Sequence, residues 1–189
     1  MGATDCLQSV LLEMSLKSMP LHRKECVRYN EPGHAHSLTF SCTGRRPLLA
    51  SDSAKQLLIE SLGAARQRYR FDIWAYVIMP DHVHLLIWPR EQDYSISEIL
   101  RAIKRPMSFR AHQEGLIGEP GFWLPGGGYD RNLFLPQAVH EEVEYIHANP
   151  VRRGLCDRPA DWRYSSAAFW AGQKDVPLEM DPTVPEVGP

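Results

Sequence analysis

The stretch 71–88 constrains the fold most, because it contains two consecutive runs of strand-forming residues. The first run is rich in aromatic and β-branched residues and ends at Met79, and the second begins at His82. Pro80-Asp81 breaks the pattern between them, and a short break between two such runs is typical of a hairpin. The chain is therefore predicted to contain two adjacent antiparallel strands near its centre.

Two amphipathic helices are predicted, one on each side of this hairpin. Ser51 is a good N-cap, and the apolar residues within 54–65 recur at the spacing of one helical face. The second helix begins with a capping box formed by Ser95 and Glu98, and Pro106 is expected to kink or shorten it.

Further strands are predicted before the first helix and after the second. Residues 36–42 alternate in polarity, and residues 130–135 form a short extended segment. Pro136 then suits the first position of a third helix, which Asn149-Pro150 is expected to terminate. The buried face of this helix is predicted to contain Val139, Val143 and Ile146.

The predicted order of elements is β-α-β-β-α-β followed by an additional helix. This order is typical of the split βαβ, ferredoxin-like arrangement. We therefore expect an α+β domain with an antiparallel sheet, helices on one face and an extra helix near the C-terminus.

Composition limits the class of protein and its compartment. With 43% hydrophobic and 23% charged residues among 189, the chain fits one globular domain. The formal net charge is -2, so any basic surface has to be local. The four cysteines form no C-x-x-C pair, which favours reduced thiols in the cytosol.

The predicted domain covers residues 21–172. Residues 1–20 are interpreted as an N-terminal extension, and the Pro-rich, acidic segment 173–189 is interpreted as a flexible tail. The apolar residues near the N-terminus are interrupted by Glu13 and follow no cationic region, which argues against a signal peptide or a spanning helix.

His82 and His84 are candidate metal ligands, because residues two apart on a strand project from the same face. Val83, Leu85 and Ile87 occupy the opposite face and suit a core. A bare H-x-H pair is more often two surface or hydrogen-bonded histidines than a metal site. The apolar hairpin favours a ligand role, since polar rings are costly there unless they bind something.

His34 and His36 repeat this spacing at the start of the first strand. Spacing alone does not distinguish the two pairs. For His34 and His36 we expect a loop role, such as contact with a phosphate.

Tyr145 and Asn149 lie four residues apart on the third helix and therefore share one of its faces. A tyrosine can act as a nucleophile, and an amide oxygen can bind a hard metal ion. The structural alternative is a packed tyrosine ring and an asparagine that caps the helix C-terminus.

Several segments, in the same order, resemble the REP-associated tyrosine transposases. These are bacterial relatives of the small insertion-sequence transposases, with an HUH motif and one catalytic tyrosine. The segments are PGHAHSLTFSCTGRRPLL (32–49), YVIMPDHVHLLI (76–87), FWLPGGGYDRNLF (122–134), YIHANPVRRGL (145–155) and DWRYSS (161–166).

The resemblance implies a single-stranded DNA endonuclease and strand transferase that acts on hairpin-forming repeated palindromes. It implies that His82 and His84 bind Mg²⁺ or Mn²⁺, that Asn149 completes the metal site, and that Tyr145 attacks the scissile phosphate. The products would be a 5′-phosphotyrosine link and a free 3′-hydroxyl. Asp81 stands where relatives often have asparagine, and it either adds a charge near the metal or closes the turn.

Basic and aromatic residues are candidate DNA contacts, since cations hold phosphates and aromatic rings stack on unpaired bases. The candidates are Arg101, Lys104, Arg105 and Arg110 on the second helix, Arg152 and Arg153 after the catalytic tyrosine, and the aromatic residues Trp123, Tyr129 and Trp162. Each has a structural alternative, because solvated helices carry Lys and Arg routinely and aromatic residues are usually core.

Two other functions fit parts of the pattern. A ferredoxin-like nucleic-acid-binding module could keep the fold without the chemistry, and a zinc hydrolase could use the histidines. Zinc sites favour a third His, Cys or carboxylate, so two histidines with an asparagine favour a harder ion. The preferred interpretation is a cytoplasmic, nucleoid-associated transposase, a monomer or homodimer with single-stranded or hairpin DNA as its partner and no membrane association.

Overall fold

The computed structural model describes residues 28–115, 121–126 and 128–186. The predicted N-terminal extension, residues 1–20, lies outside them. The main elements of the described residues are β1 (Ala35–Ser41), α1 (Asp52–Tyr69), β2 (Phe71–Ile78), β3 (His82–Pro89), α2 (Ile96–Gln113), β4 (Tyr129–Leu133), α3 (Pro136–Arg152) and α4 (Ala167–Trp170). Short 3-10 turns lie at Thr43–Arg45 and Pro159–Asp161.

The strands form one antiparallel sheet in the order β2-β3-β1-β4. β1 lies inside the sheet, so Thr39 pairs with His84 on one side and with Tyr129 on the other. The predicted hairpin is β2 and β3, joined by the turn at Pro80-Asp81. This topology confirms the predicted α+β, ferredoxin-like arrangement.

The main hydrophobic core lies between one face of the sheet and the helices α1 and α2. Leu38 and Leu85 contribute the sheet side of this core, and Leu58 and Ile103 contribute the helix side. All four side chains are fully buried. The apolar faces predicted for both helices therefore pack against the sheet.

A second core lies on the other face of the sheet, beneath α3. Val77 and Leu86 from the sheet pack with Val139 and Ile146 from this helix. Every residue of β2 is buried, which shows that this strand is covered on both sides. The helices thus cover both faces, and the expectation that they cover one face is wrong.

Proline interrupts neither of the two long helices in which it occurs. α2 contains Pro106 and continues to Gln113, and α3 contains Pro150 and continues to Arg152. Pro150 has no amide hydrogen for the carbonyl of Ile146, four residues earlier. The side-chain amide of Asn149 donates to that carbonyl at 3.3 Å and replaces the missing hydrogen bond. The predicted helix end at Asn149-Pro150 is therefore wrong.

The C-terminal part of the chain runs along β2, which is an edge strand of the sheet. The amide of Ile78 donates to the carbonyl of Tyr164 at 2.9 Å. The amide of Tyr76 donates to Ser166 Oγ, also at 2.9 Å. These hydrogen bonds occupy backbone groups that an edge strand otherwise leaves unpaired.

Residues 173–186 continue this contact. The Asp181 carboxylate accepts hydrogen bonds from the amide of Ile73 at 3.0 Å and from Arg66 at 3.2 Å. The side chain of Met180 is buried in the main core. The acidic, Pro-rich composition suggested a flexible tail, but these contacts hold its described part against the domain.

Two further observations concern the buried thiol of Cys42 and the length and polarity of the helices. Cys42 is a buried free thiol, and burial raises its pKa to about 12, which makes it unreactive at neutral pH. Among the helices that the structure describes, none is both long and apolar enough to cross a bilayer.

Candidate active site

His82 and His84 lie side by side on β3, on the face of the sheet that carries α3. Their ring centroids are 4.9 Å apart and their planes meet at 85°. Both residues are buried, with 3% and 7% of their surface exposed. The alternation of side chains along a strand thus brings the two imidazoles together, as their spacing predicted.

Each imidazole is oriented through its Nδ1 atom. Nδ1 of His82 lies 2.6 Å from an oxygen of the Asp81 carboxylate. Nδ1 of His84 lies 2.9 Å from the hydroxyl of Thr39, its pairing partner on β1. Among the described residues neither Nε2 atom has a hydrogen-bond partner, so both are free to bind a ligand. Metal-binding histidines usually have a hydrogen-bond partner at one ring nitrogen, which fixes the tautomer and the orientation of the ring so that the other nitrogen can bind the metal.

Burial also keeps both imidazoles neutral. It lowers the pKa of His82, and the neighbouring Asp81 carboxylate opposes this change. It lowers the pKa of His84 to about 4, with a smaller contribution from His82. Only a neutral imidazole has a lone pair for a metal ion, so the site favours the ligand form near neutral pH.

Tyr145 lies on α3, next to this pair. Its ring is edge-on to the ring of His84, with centroids 5.6 Å apart and planes at 86°. The packing of Val139 and Ile146 into the second core holds the helix in this position. Tyr145 is 42% exposed, and its hydroxyl has no hydrogen-bond partner among the described residues. The hydroxyl is therefore accessible to a substrate.

The side chain of Asn149 is fixed by the backbone of its own helix. Its Nδ2 donates to the carbonyls of Tyr145 at 2.8 Å and Ile146 at 3.3 Å. Only the amide nitrogen can donate to these carbonyls, so they determine which way the amide is turned. The oxygen Oδ1 has no such partner within the described residues and is left available as a ligand.

The donor set fits a hard divalent ion better than zinc. Within the described parts of the chain, no three His, Cys, Asp or Glu side chains are arranged to hold a metal ion. Two imidazole nitrogens and an amide oxygen would leave coordination positions open, which suits Mg²⁺ or Mn²⁺. The zinc-hydrolase alternative lacks the third ligand that zinc sites usually have.

Two arginines lie near the histidines. Besides burial, the positive charges of Arg45 and Arg153 also lower the pKa of both imidazoles. Arg153 is the exposed C-cap of α3 and was predicted as a DNA contact. Arg45 ends the 3-10 turn after β1, and sequence reasoning missed it because no spacing rule connects that turn to β3.

Arg152 contacts the candidate nucleophile directly. The carbon of its guanidinium group lies 5.0 Å from the ring centroid of Tyr145. This distance is typical of a cation–π contact. The predicted basic pair 152–153 is thus beside the candidate site.

The basic residues of α2 lie on the other side of the sheet. Arg101 and Arg105 are exposed on a groove between α1 and α2. Arg110 is paired with Glu114 at 2.7 Å. The Lys104 ammonium lies 5.1 Å from the ring centroid of Phe40, and burial lowers its pKa to about 8. Any DNA that these residues contact is therefore remote from the histidine pair.

One of the three predicted stacking residues belongs to the core, and a second is partly buried against it. Trp123 is only 8% exposed, and its indole donates to the carbonyl of Lys104 at 3.0 Å. The indole of Trp162 donates to the carbonyl of Ile78, also at 3.0 Å. Tyr129, by contrast, is 53% exposed. The structure therefore corrects the expectation for Trp123, while Trp162 stays a prediction and Tyr129 is the most accessible of the three rings.

His36 has a structural environment. It lies in β1, fully buried, between the Asp130 carboxylate and the Tyr94 hydroxyl, each at 2.8 Å. His34 stacks on Phe134 with ring centroids 5.2 Å apart. The expected loop role is wrong for His36, because both of its nitrogens already have protein partners.

Comparison with known proteins identifies the family. The family described as "Transposase IS200 like" matches residues 33–134, which is more than half of the chain. The chain belongs to the IS200-like transposase family. The matched part of this IS200-like transposase includes the sheet, α1, α2 and the histidine pair, and it ends before α3. The position of Tyr145 beside His84 therefore does not depend on the family match.

Individual relatives support this assignment. A REP-associated tyrosine transposase of Escherichia coli (strain K12) is 28% identical over 141 residues, which cover 74% of this chain and 79% of the relative. A solved structure of a REP-associated tyrosine transposase bound to a REP hairpin is 24% identical and superposes with a TM-score of 0.66. It covers 86% of this chain and 97% of its own, so this IS200-like transposase has the same fold.

Proposed function

We propose that this transposase is a metal-dependent endonuclease and strand transferase for single-stranded DNA, acting through a 5′-phosphotyrosine intermediate. The observation that carries the proposal is the contact between Tyr145 and His84. It brings a candidate nucleophile beside a candidate metal ligand within one chain. Hairpin-forming repeated palindromes are the proposed substrate, in keeping with the REP-associated relatives.

The proposed reaction exchanges one phosphodiester for another. The Tyr145 oxygen forms a bond to the scissile phosphorus, and the bond from phosphorus to the 3′ oxygen breaks. The phenolic proton passes to water, and the departing 3′ oxygen takes a proton to become a hydroxyl. Because the phosphotyrosine link keeps the bond energy, a 3′-hydroxyl of another strand can reverse the step and join strands.

The residues proposed to hold Mg²⁺ or Mn²⁺ are His82 and His84, through Nε2, and Asn149, through Oδ1. When bound, the ion would polarise the phosphate oxygens and favour attack at phosphorus. Asp81 and Thr39 would keep the imidazoles oriented toward it.

The proposed DNA contacts fall into two groups. Arg152 and Arg153, beside Tyr145, would hold phosphates of the cleaved strand. Arg101 and Arg105 would contact DNA outside the reacting segment, because the sheet separates them from the histidines. Such contacts position DNA without selecting its sequence.

Incubation with labelled oligonucleotides tests the proposed function. Hairpins with single-stranded flanks and matched duplexes are incubated with purified protein and Mn²⁺, and with EDTA as control. We expect cleavage of the single-stranded flank only, together with a protein–DNA adduct that survives denaturation. Intact DNA despite measurable hairpin binding would instead support a binding module that has lost its chemistry.

A further inference from the structure

We propose that Arg45 binds the scissile phosphate and that Asp81 is a positioning residue that orients both Arg45 and His82. This inference rests on the proposed function, which supplies the phosphate. It gives Arg45 a role in the reaction and extends the orienting role of Asp81 from His82 to Arg45.

The carboxylate of Asp81 joins the two side chains. One oxygen lies 2.6 Å from Nδ1 of His82, and the other lies 3.3 Å from Nη1 of Arg45. Each carboxylate oxygen therefore has its own partner. The negative charge of Asp81 is shared between an imidazole and a guanidinium group, so it does more than close the β2–β3 turn.

Backbone hydrogen bonds fix the turn that carries Arg45 to the β2–β3 turn. The amide of Cys42 donates to the carbonyl of Asp81 at 2.8 Å, and the amide of Leu49 donates to the carbonyl of Pro80 at 2.9 Å. These bonds lie on both sides of Arg45 in the sequence. The position of Arg45 relative to His82 is therefore determined by the main chain as well as by the ion pair.

The conformation of Arg45 is unusual for a residue with a side chain. Its φ is +56°, in the left-handed region, directly after Gly44 at +57°. Such a conformation costs roughly 1 kcal/mol or more in a non-glycine residue and is concentrated at functional sites. The ion pair does not account for this cost, because exposed pairs contribute about 0–1 kcal/mol.

The Arg45 guanidinium also has room for a ligand. Its side chain is 55% exposed, and Asp81 is its ion-pair partner among the described residues. The Asp81 carboxylate contacts both Arg45 and His82, so it holds the guanidinium beside the histidine pair. A phosphate placed at the Nε2 atoms would therefore lie within its field, and a planar guanidinium suits phosphate oxygens.

Arg46 provides a matched control for Arg45. It is the next residue, is also exposed, and has no ion pair within the described residues. We expect Arg45→Ala to slow single-turnover cleavage by about 10²- to 10³-fold, as loss of a charge-stabilising donor does. Arg46→Ala should stay within about threefold of wild type, and Arg45→Lys should recover part of the rate, since it keeps the charge.

Mn²⁺ binding, measured by electron paramagnetic resonance without DNA, separates the two roles. Asp81→Ala should weaken Mn²⁺ affinity by about 10- to 100-fold, because it removes the oxygen that orients His82. Arg45→Ala should leave Mn²⁺ affinity within about twofold, since the arginine is proposed to act on phosphate. Thermal melting of each variant confirms that it is folded.

Two results would overturn the inference. If the wild-type protein cleaves DNA and Arg45→Ala cleaves as fast as Arg46→Ala, Arg45 does not bind the scissile phosphate. Unchanged Mn²⁺ affinity in Asp81→Ala would exclude its positioning role. A wild-type protein that binds Mn²⁺ but never cleaves DNA would contradict the proposed function instead.

Discussion

The rings of His84 and Tyr145 meet edge-on at a centroid distance of 5.6 Å, although one residue belongs to a strand and the other to a helix that packs against it. One chain therefore supplies both the candidate metal ligands and the candidate nucleophile. A single copy of this transposase therefore contains every residue proposed to act in the first strand cleavage.

Tyr145→Phe should abolish the covalent adduct and leave folding and DNA binding intact. The variant keeps the ring and its contacts with His84 and Arg152 and removes only the attacking oxygen. Because that hydroxyl has no hydrogen bond among the described residues, stability should change by less than about 0.5 kcal/mol. Denaturing gels of protein with labelled DNA measure the adduct.

Mass spectrometry of the digested wild-type adduct locates the linkage. A DNA tag on Tyr129 or Tyr164, or an undiminished adduct in Tyr145→Phe, would show that another residue is the nucleophile.

His82→Ala and His84→Ala should each abolish cleavage while hairpin affinity stays within about tenfold of wild type, because phosphate contacts supply most of the affinity. His34→Ala is the appropriate control and should cleave normally. His36→Ala is less suitable, since it removes the hydrogen bond between His36 and the buried Asp130 carboxylate and should destabilise the fold. Gel-shift and cleavage assays on the same DNA separate the two effects, and equal loss in His34→Ala would mean that the site is assigned to the wrong pair.

Asn149→Ala should slow cleavage most at low Mn²⁺ and recover as Mn²⁺ is raised, because the variant loses a ligand and keeps the nucleophile. It should also lose about 1 kcal/mol of stability, since Nδ2 no longer satisfies the Ile146 carbonyl. Cleavage rates across a Mn²⁺ titration test this expectation. A rate deficit that is independent of Mn²⁺ would show that Asn149 is not a ligand.

Trp123→Ala should lower stability, whereas Tyr129→Ala should lower the affinity for DNA. Trp123 is packed in the core, so its truncation should cost about 3–5 kcal/mol of stability. Tyr129 is exposed, so its truncation should leave stability nearly unchanged and weaken single-stranded DNA binding by about 1–3 kcal/mol if a base stacks on it. Urea unfolding and fluorescence anisotropy measure the two quantities, and unchanged DNA affinity would remove Tyr129 from the interface.

Stability of the metal-free protein should fall as the pH drops below about 6.5, the ordinary histidine value. Burial lowers the pKa of His84 and of His147 to about 4. The unfolded chain therefore binds protons in this range that the folded chain does not, and protonation favours unfolding. When the pH is lowered from about 7.5 to about 5.5, each of these two imidazoles should reduce the free energy of unfolding by about 1 kcal/mol.

Urea unfolding in EDTA at both pH values measures this effect. His147→Gln should show a smaller pH dependence than wild type, and an equal dependence would contradict the contribution of His147.

Local sequence patterns predicted the elements and the pairing of His82 with His84, because both depend on residues close together in the chain. The caps at Ser51 and Ser95 are confirmed by the hydrogen bonds that their hydroxyls accept. The patterns did not reveal the second core, since a strand buried on both faces loses the alternation that marks one buried side.

Other features depended on tertiary contacts that no spacing rule describes. α3 continues through Pro150 because the Asn149 amide replaces a backbone donor. The contact of Arg45 with Asp81 depends on how the turn after β1 docks against the hairpin. Such contacts join residues that are distant in sequence, so they became visible only in the folded chain.

Tyr164, Ser166 and Asp181 form hydrogen bonds with the backbone of β2, so a further strand can be added to the sheet only at its other edge. Among the described strands, an added strand has to pair beyond Tyr129–Leu133, at β4. Two copies joined through β4 would have no open edge left. Edge-to-edge association through the described strands would therefore stop at a pair and could not continue into a fibre.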